Sequence, residues 1–136
     1  MSKPVRFVLV DDDPLSLALT EKALRNCIRR PVVIQFSTAE AALAFISSDV
    51  IPSKEIHTVL ITDLHMPELD GFALMREIVD KYRHLTENLH VFVLSGEATP
   101  DEVRTVFFYR CVIGFYSKPI TQDNIKEILT CIEYRL

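Results

Sequence analysis

The amino-acid sequence predicts an α/β protein: a doubly wound, three-layer sandwich in which a five-stranded parallel sheet is covered by helices on both faces. Three observations lead there. Five short apolar runs recur along the chain, amphipathic helical stretches separate them, and the runs are continuous rather than alternating, as expected of strands buried on both faces. At 136 residues with 49% hydrophobic content, the chain has the length of one compact domain and enough apolar side chains for one core, so residues 1–136 are read as a single domain.

The first strand is Phe7 to Val10, and three aspartates, Asp11 to Asp13, break it off. Asp13-Pro14 then supplies a capping acceptor followed by a proline at the first helical position. The second strand is Val32 to Phe36, and Ser37-Thr38-Ala39-Glu40 has the spacing of a capping box for the second helix. Ser47 to Glu55 reads as an extended loop before the third strand, Thr58 to Ile61. The fourth strand is Val91 to Leu94, and Thr99-Pro100-Asp101-Glu102 opens the fourth helix with both devices at once. On that helix Val103, Val106, Phe107 and Arg110 are expected to share one face, which sets Phe108 opposite and Tyr109 at the flank as interface candidates. The fifth strand is Ile113 to Tyr116. Thr121 caps a last helix that runs to the chain end with Ile125, Ile128, Leu129 and Ile132 on one face.

Composition narrows the function classes. A net charge of -4 with 25% charged residues gives no general attraction to nucleic acid or to an anionic membrane, so neither is an expected partner. The apolar start of the chain is too short for a signal peptide or a membrane span. Cys27, Cys111 and Cys131 are odd in number and lack CxxC spacing, which points to small core thiols in a reducing cytoplasm rather than to disulfides or zinc.

In an open parallel sheet, functional groups gather beyond the carboxyl ends of the strands. Here those ends carry Asp11-Asp12-Asp13, Asp63, Ser95-Gly96 and Lys118-Pro119. Carboxylates gathered so closely repel one another and call for protonation, a basic partner or a hard cation. One lysine cannot neutralise them all, and Mg2+ suits an oxygen-only site that also takes a phosphate oxygen. Asp63 beside such a cation, with Ser95 and Lys118 to bind equatorial oxygens, is placed to attack phosphorus and become an aspartyl phosphate. Asp13 is read as a helix cap, and His57, His84 and His90 as structural or exposed.

These residues resemble the receiver domain of two-component response regulators, especially its single-domain, chemotaxis-type members. The resemblance runs from Phe7 to Ile132 through four stretches in order: Val8-Leu9-Val10-Asp11-Asp12-Asp13-Pro14; Thr62-Asp63-Leu64-His65-Met66-Pro67-Glu68-Leu69-Asp70-Gly71; Leu94-Ser95-Gly96; and Phe115-Tyr116-Ser117-Lys118-Pro119. It implies strand order 2-1-3-4-5. It further implies that Asp63 is the phosphoacceptor, that Asp12, Asp63 and the backbone carbonyl of His65 ligate Mg2+, and that Asp11 orients metal-bound water. Ser95 corresponds to the switch hydroxyl, Lys118 to the phosphate-pairing lysine, Phe115 to the switch aromatic, and the Lys118-Pro119 bond to a cis peptide. His65 and Glu97 stand at positions that tune the lifetime of the phosphoryl group. One departure is visible: Phe107 to Val112 is bulkier than the small residues common before the last strand, and a residue longer.

The resemblance implies a phosphorylation-driven switch rather than a turnover enzyme. A sensor histidine kinase or histidine phosphotransfer protein is the expected donor, and a downstream protein target the expected readout through helix four, strand five and helix five. The protein is expected to be a monomer or a phosphorylation-dependent dimer, with no output segment after Leu136. An aspartate-nucleophile phosphatase or phosphotransferase would want a second aspartate two positions after Asp63, where His65 stands. A flavin-binding electron carrier would want a Ser/Thr/Gly-rich loop where Asp11 to Asp13 stand. A receiver-like module that takes no phosphate has no need of the full set of chemical groups present here.

Overall fold

A computed structural model describes residues 4–82 and 87–135. The elements follow in strict alternation: β1 (Val5–Val10), α1 (Pro14–Cys27), β2 (Val32–Phe36), α2 (Ala39–Phe45), β3 (His57–Thr62), α3 (Gly71–Tyr82), β4 (Leu89–Ser95), α4 (Pro100–Val106), β5 (Val112–Ser117) and α5 (Gln122–Arg135). All strand pairs are parallel, in the order β2-β1-β3-β4-β5, as expected. No helix among the described residues is long and apolar enough to cross a membrane.

Side-chain alternation along the strands builds two cores, one on each face. Val8, Val10, Leu60, Val91 and Val93 point to the face covered by α2 and α3 and by Val106 of α4. Phe7, Leu9, Val59, Ile61, Phe92 and Leu94 point to the other, where Leu17 and Leu24 of α1 meet Ile125, Ile128 and Ile132 of α5. Each fully buried Leu, Ile or Phe contributes about 1.5–3 kcal/mol of transfer free energy, so the two layers dominate stability. All of β3 is buried, because it lies at the centre of the sheet with helices on both sides. Cys111 belongs to the first core, where burial pushes its thiol up to about 11 and leaves it inert at neutral pH. Cys27 and Cys131 pack against the second.

The chain reverses direction across the sheet at β1. With right-handed crossovers, that reversal places α1 on one face and α2, α3 and α4 on the other, and α5 packs on the α1 face. It also opens a crevice between the carboxyl ends of β1 and β3, where their loops diverge.

Most expected helix starts are present. The Asp13 side chain accepts from Leu15 N–H ahead of Pro14, Thr99 and Glu102 form the reciprocal capping box, and Thr121 Oγ accepts from Asn124 N–H at 3.0 Å. Three expectations are corrected. Thr38, not Ser37, is the N-cap of α2, accepting from Ala41 N–H; Glu40 then falls one position short of the box. Ile46 to Val50 is not loop but a wide π-helical turn continuing α2, because Ile46 and Val50 are buried and the hydroxyls of Ser47 and Ser48 bond to the carbonyls of Leu43 and Phe45. Finally, α4 ends at Val106, so Phe107 and Arg110 do not extend its buried face; Phe107 is 49% exposed and Phe108 83%. Val91 pairs with Val112 but Phe92 with Gly114, leaving Ile113 as a bulge.

Candidate functional site

The carboxyl ends of β1, β3, β4 and β5 bring the expected groups together. Asp11 and Asp12 follow β1, and Asp63 follows β3 across the crevice; Asp11 and Asp63 are buried and Asp12 is exposed. One carboxylate oxygen from each of the three lies within 4.8 Å of the others. The backbone fixes two of these side chains. Asp11 N–H donates to Phe36 O at 3.1 Å and Asp63 N–H to Val10 O at 3.0 Å, which extends the ladder to the residues that bear the charge. Asp11 Oδ1 accepts from Asp13 N–H at 3.0 Å, and Asp63 Oδ1 from Leu64 N–H at 2.7 Å.

Lys118 reaches over from the end of β5 to join them, with Nζ 2.7 Å from Asp11 Oδ2 and 3.0 Å from Asp63 Oδ2. Burial alone would lower the Lys118 pKa, but its hydrogen bonds to Asp11 and Asp63 outweigh that and raise it above 10.5, so the ammonium stays charged. Its backbone is set by Lys118 N–H donating to Ser95 O at 3.1 Å and by a cis peptide to Pro119, as expected. Three carboxylates against one ammonium leave a formal charge of -2, which a divalent cation cancels. An all-oxygen donor set of this charge fits Mg2+ and offers nothing to a metal that prefers nitrogen or sulfur.

Ser95 closes β4 and is 2% exposed, and its Oγ has no hydrogen-bond partner among the described residues. A buried hydroxyl left unmatched costs roughly 1–3 kcal/mol, which makes Ser95 a candidate to meet a group bound in the crevice. Phe115 is half-buried against the core under α2 and α3, while Tyr116 points to the opposite face, where its hydroxyl lies 3.1 Å from Glu127. Glu97 is exposed, and its carbonyl oxygen, not its carboxylate, makes the local contact: His65 Nε2 lies 3.0 Å from it. The same nitrogen lies 3.4 Å from Glu102 Oε2.

Some contributors carry no chemical group that would have singled them out. A Cβ on Gly71 would sit 2.2 Å from the carbonyl oxygen of Asp63, so only glycine lets α3 start where it does. Thr62 Oγ1 donates to that same carbonyl at 2.9 Å. Among the other histidines, His57 and His90 are buried together far from this crevice, near the amino ends of β3 and β4, with ring nitrogens 2.8 Å apart; His84 lies outside the described residues.

Comparison with known proteins agrees with this geometry. Residues 7–130 match the family described as the response regulator receiver domain. Similar curated proteins include a two-component response regulator of Arabidopsis thaliana, 29% identical over 91% of this chain, and one of Oryza sativa subsp. indica, 34% identical over 91% of it. The chain spans 17% and 16% of the lengths of those two relatives. Among solved structures, a two-component response regulator from Cytophaga hutchinsonii superposes with a TM-score of 0.84 at 19% identity, covering 98% of this chain and 99% of that one. A response regulator receiver protein from Dyadobacter fermentans gives 0.80 at 22%, covering 93% and 96%. The structural likenesses speak to the fold and the sequence match to descent. That match starts at Phe7 in β1 and ends at Thr130 in α5, taking in every strand and helix: the chain belongs to the receiver-domain family of response regulators.

Proposed function

We propose that this receiver domain is a switch driven by phosphorylation of Asp63. The donor is a phosphohistidine on a sensor kinase or histidine phosphotransfer protein. An Asp63 carboxylate oxygen attacks phosphorus, the bond from phosphorus to the donor imidazole breaks, and the electron pair left on that nitrogen takes up a proton from solvent. Asp12, Asp63 and the His65 carbonyl are the residues that would hold Mg2+, with Asp11 acting through water; the cation supplies charge neutralisation for the incoming phosphoryl oxygens. Lys118, already bridging Asp11 and Asp63, exchanges part of that bridge for a phosphoryl oxygen.

The observation that carries this reading is the orphan hydroxyl of Ser95, buried beside a three-carboxylate cluster. A phosphoryl oxygen is the acceptor it lacks. Drawing Ser95 toward it pulls on the β4–α4 loop and makes room for the half-buried Phe115, so that α4, β5 and α5 present a changed surface to a protein target. Moving such an equilibrium from mostly off to mostly on takes on the order of 5 kcal/mol of differential binding, within reach of several charge-assisted contacts made in one state only. A groove of about 270 Å3 beside Lys118 is walled by Leu15, Leu19, Pro119 and Ile120, and Leu15 is 64% exposed. This apolar wall next to Asp13 and Lys118 suits an amphipathic helix that carries the donor histidine. In this reading residues 1–136 act as one receiver unit in the cytoplasm, monomeric or dimerising on phosphorylation, and not as a turnover enzyme.

The test is incubation with Mg2+ and acetyl phosphate followed by intact-mass measurement. The wild type is expected to gain one phosphoryl group, with none on Asp63→Asn or in the presence of chelator. An equal adduct on Asp63→Asn would remove Asp63 from the role.

A further inference from the structure

The helix α4 is weakly anchored by its side chains. Of its seven residues only Val106, the last, is buried, whereas α1 buries Ser16, Leu17, Thr20 and Leu24. Polar contacts hold its first turn instead. Thr99 N–H donates to Glu102 Oε1 at 2.9 Å, and Glu102 N–H to Thr99 Oγ1 at 3.1 Å. A third residue joins them from a separate loop: the His65 Nε2 that lies 3.0 Å from the Glu97 carbonyl oxygen is also 3.4 Å from Glu102 Oε2. One imidazole nitrogen thus faces two acceptors, one in the β4–α4 loop and one on α4.

The two sides of this contact differ in rigidity. His65 sits between buried Leu64 and Met66, in a loop closed by Gly71 N–H donating to Leu64 O at 3.0 Å and jammed against the Asp63 carbonyl. Gly96 and Glu97, on the other side, are exposed, and Glu97 is two residues from Ser95. An advance of Ser95 that draws the Glu97 carbonyl away from the imidazole breaks this tie. A displacement of about 1 Å takes that carbonyl beyond hydrogen-bonding range of the imidazole.

We propose that His65 and Glu102 form an off-state latch: the imidazole ties the β4–α4 loop and the first turn of α4 to the rigid Asp63 loop, and must let go before Ser95 reaches a phosphoryl group. The latch builds on the switch reading above and adds the element that opposes it. No bond is made or broken; the two residues are positioning residues that act through Ser95. Removing the tie frees α4 in the unphosphorylated protein and enlarges the fraction of molecules competent to bind a phosphoryl mimic.

Two measurements on the unphosphorylated protein test this: amide hydrogen exchange along α4, and the apparent affinity for beryllofluoride with Mg2+. His65→Ala is expected to speed exchange at Asp101 to Thr105 about threefold, as for one partly exposed hydrogen bond, with α1 unchanged, and to tighten beryllofluoride binding in the same proportion. Glu102→Gln keeps the capping box, which accepts Gln as readily as Glu, and is expected to give a smaller change of the same sign. The double variant should go no further than His65→Ala alone, while His65→Gln, whose carboxamide N–H can still meet the Glu97 carbonyl, should restore most of the protection. Unchanged α4 exchange in His65→Ala, or effects that multiply in the double variant, overturns the latch. A wild type that takes phosphoryl from acetyl phosphate while His65→Ala leaves α4 untouched sinks the latch alone. A wild type that takes none overturns the switch and the latch's role with it.

Discussion

The two ends of the parallel sheet bury polar groups on opposite terms. At the amino ends, His57 of β3 and His90 of β4 stack with centroids 5.0 Å apart and ring nitrogens 2.8 Å apart, each meeting the other inside the fold. At the carboxyl ends, Asp11 and Asp63 share a single ammonium, Asp12 stands beside them, and the Ser95 hydroxyl has no partner among the described residues. One end pairs its polar groups within the fold; the other gathers more carboxylate charge than its one ammonium matches. The lesson is that burial alone does not mark a functional polar group, whereas burial combined with a deficit of partners does.

Four experiments would break or sharpen that contrast. The largest effect is expected from Gly71→Ala, since the new Cβ would lie 2.2 Å from the Asp63 carbonyl oxygen and the backbone must shift to admit it. A loss of about 3 kcal/mol in urea unfolding is expected, together with weaker Mg2+ binding because Asp63 moves too. Asp12→Asn comes next: Mg2+ affinity by calorimetry should fall roughly 100-fold, the upper range for disturbing a metal site, while the urea midpoint holds or rises as repulsion is relieved. His90→Leu should do the reverse at the other end, costing about 1–3 kcal/mol of stability by removing the 2.8 Å contact to His57 while leaving Mg2+ affinity unchanged. Should His90→Leu weaken Mg2+ binding as much as Asp12→Asn does, the two ends would not be independent and the contrast would fail.

The smallest effect is local and depends on pH. The Thr99 N–H donating to Glu102, with His65 nearby, holds the Glu102 carboxyl below its usual value of 4.5. A depressed folded-state value means the contribution is full above the unfolded value and is lost as pH falls through the folded one. The Thr99 amide should therefore lose protection only below about pH 4.5, and Glu102→Gln should abolish that pH dependence; a midpoint at or above the ordinary value would refute the assignment.

The strands and the acidic crevice were legible in the sequence because both depend on short-range signals. Continuous apolar runs such as Val8 to Val10 and Val91 to Leu94 identify strands, and the charged residues that stop them name the site. What escaped depends on partners distant in sequence. His57 and His90 are 33 residues apart, and nothing near either announces the other. Glu102 was readable as a cap, but its approach to His65 exists only once β3 and β4 lie side by side. The early end of α4 was hidden because Phe107 fits helical periodicity, although it caps the helix and turns out toward solvent. Gly71 lay within a recognised stretch, yet only the closeness of the Asp63 carbonyl explains why that position has no side chain.

The bulge at Ile113 acts as a parity setter. Strict alternation from Val112, which faces the core under α2 and α3, would send Tyr116 to that face and Phe115 to the α1–α5 face; the unpaired residue inverts this, so Phe115 lands toward α4 and Gly114 lies beside the Phe92 ring. A deletion of one residue between Phe107 and Ile113 would be taken up ahead of Gly114, because Phe115 pairs with Val93 and Lys118 N–H donates to Ser95 O, so the crevice and the Phe115 ring would keep their present sides.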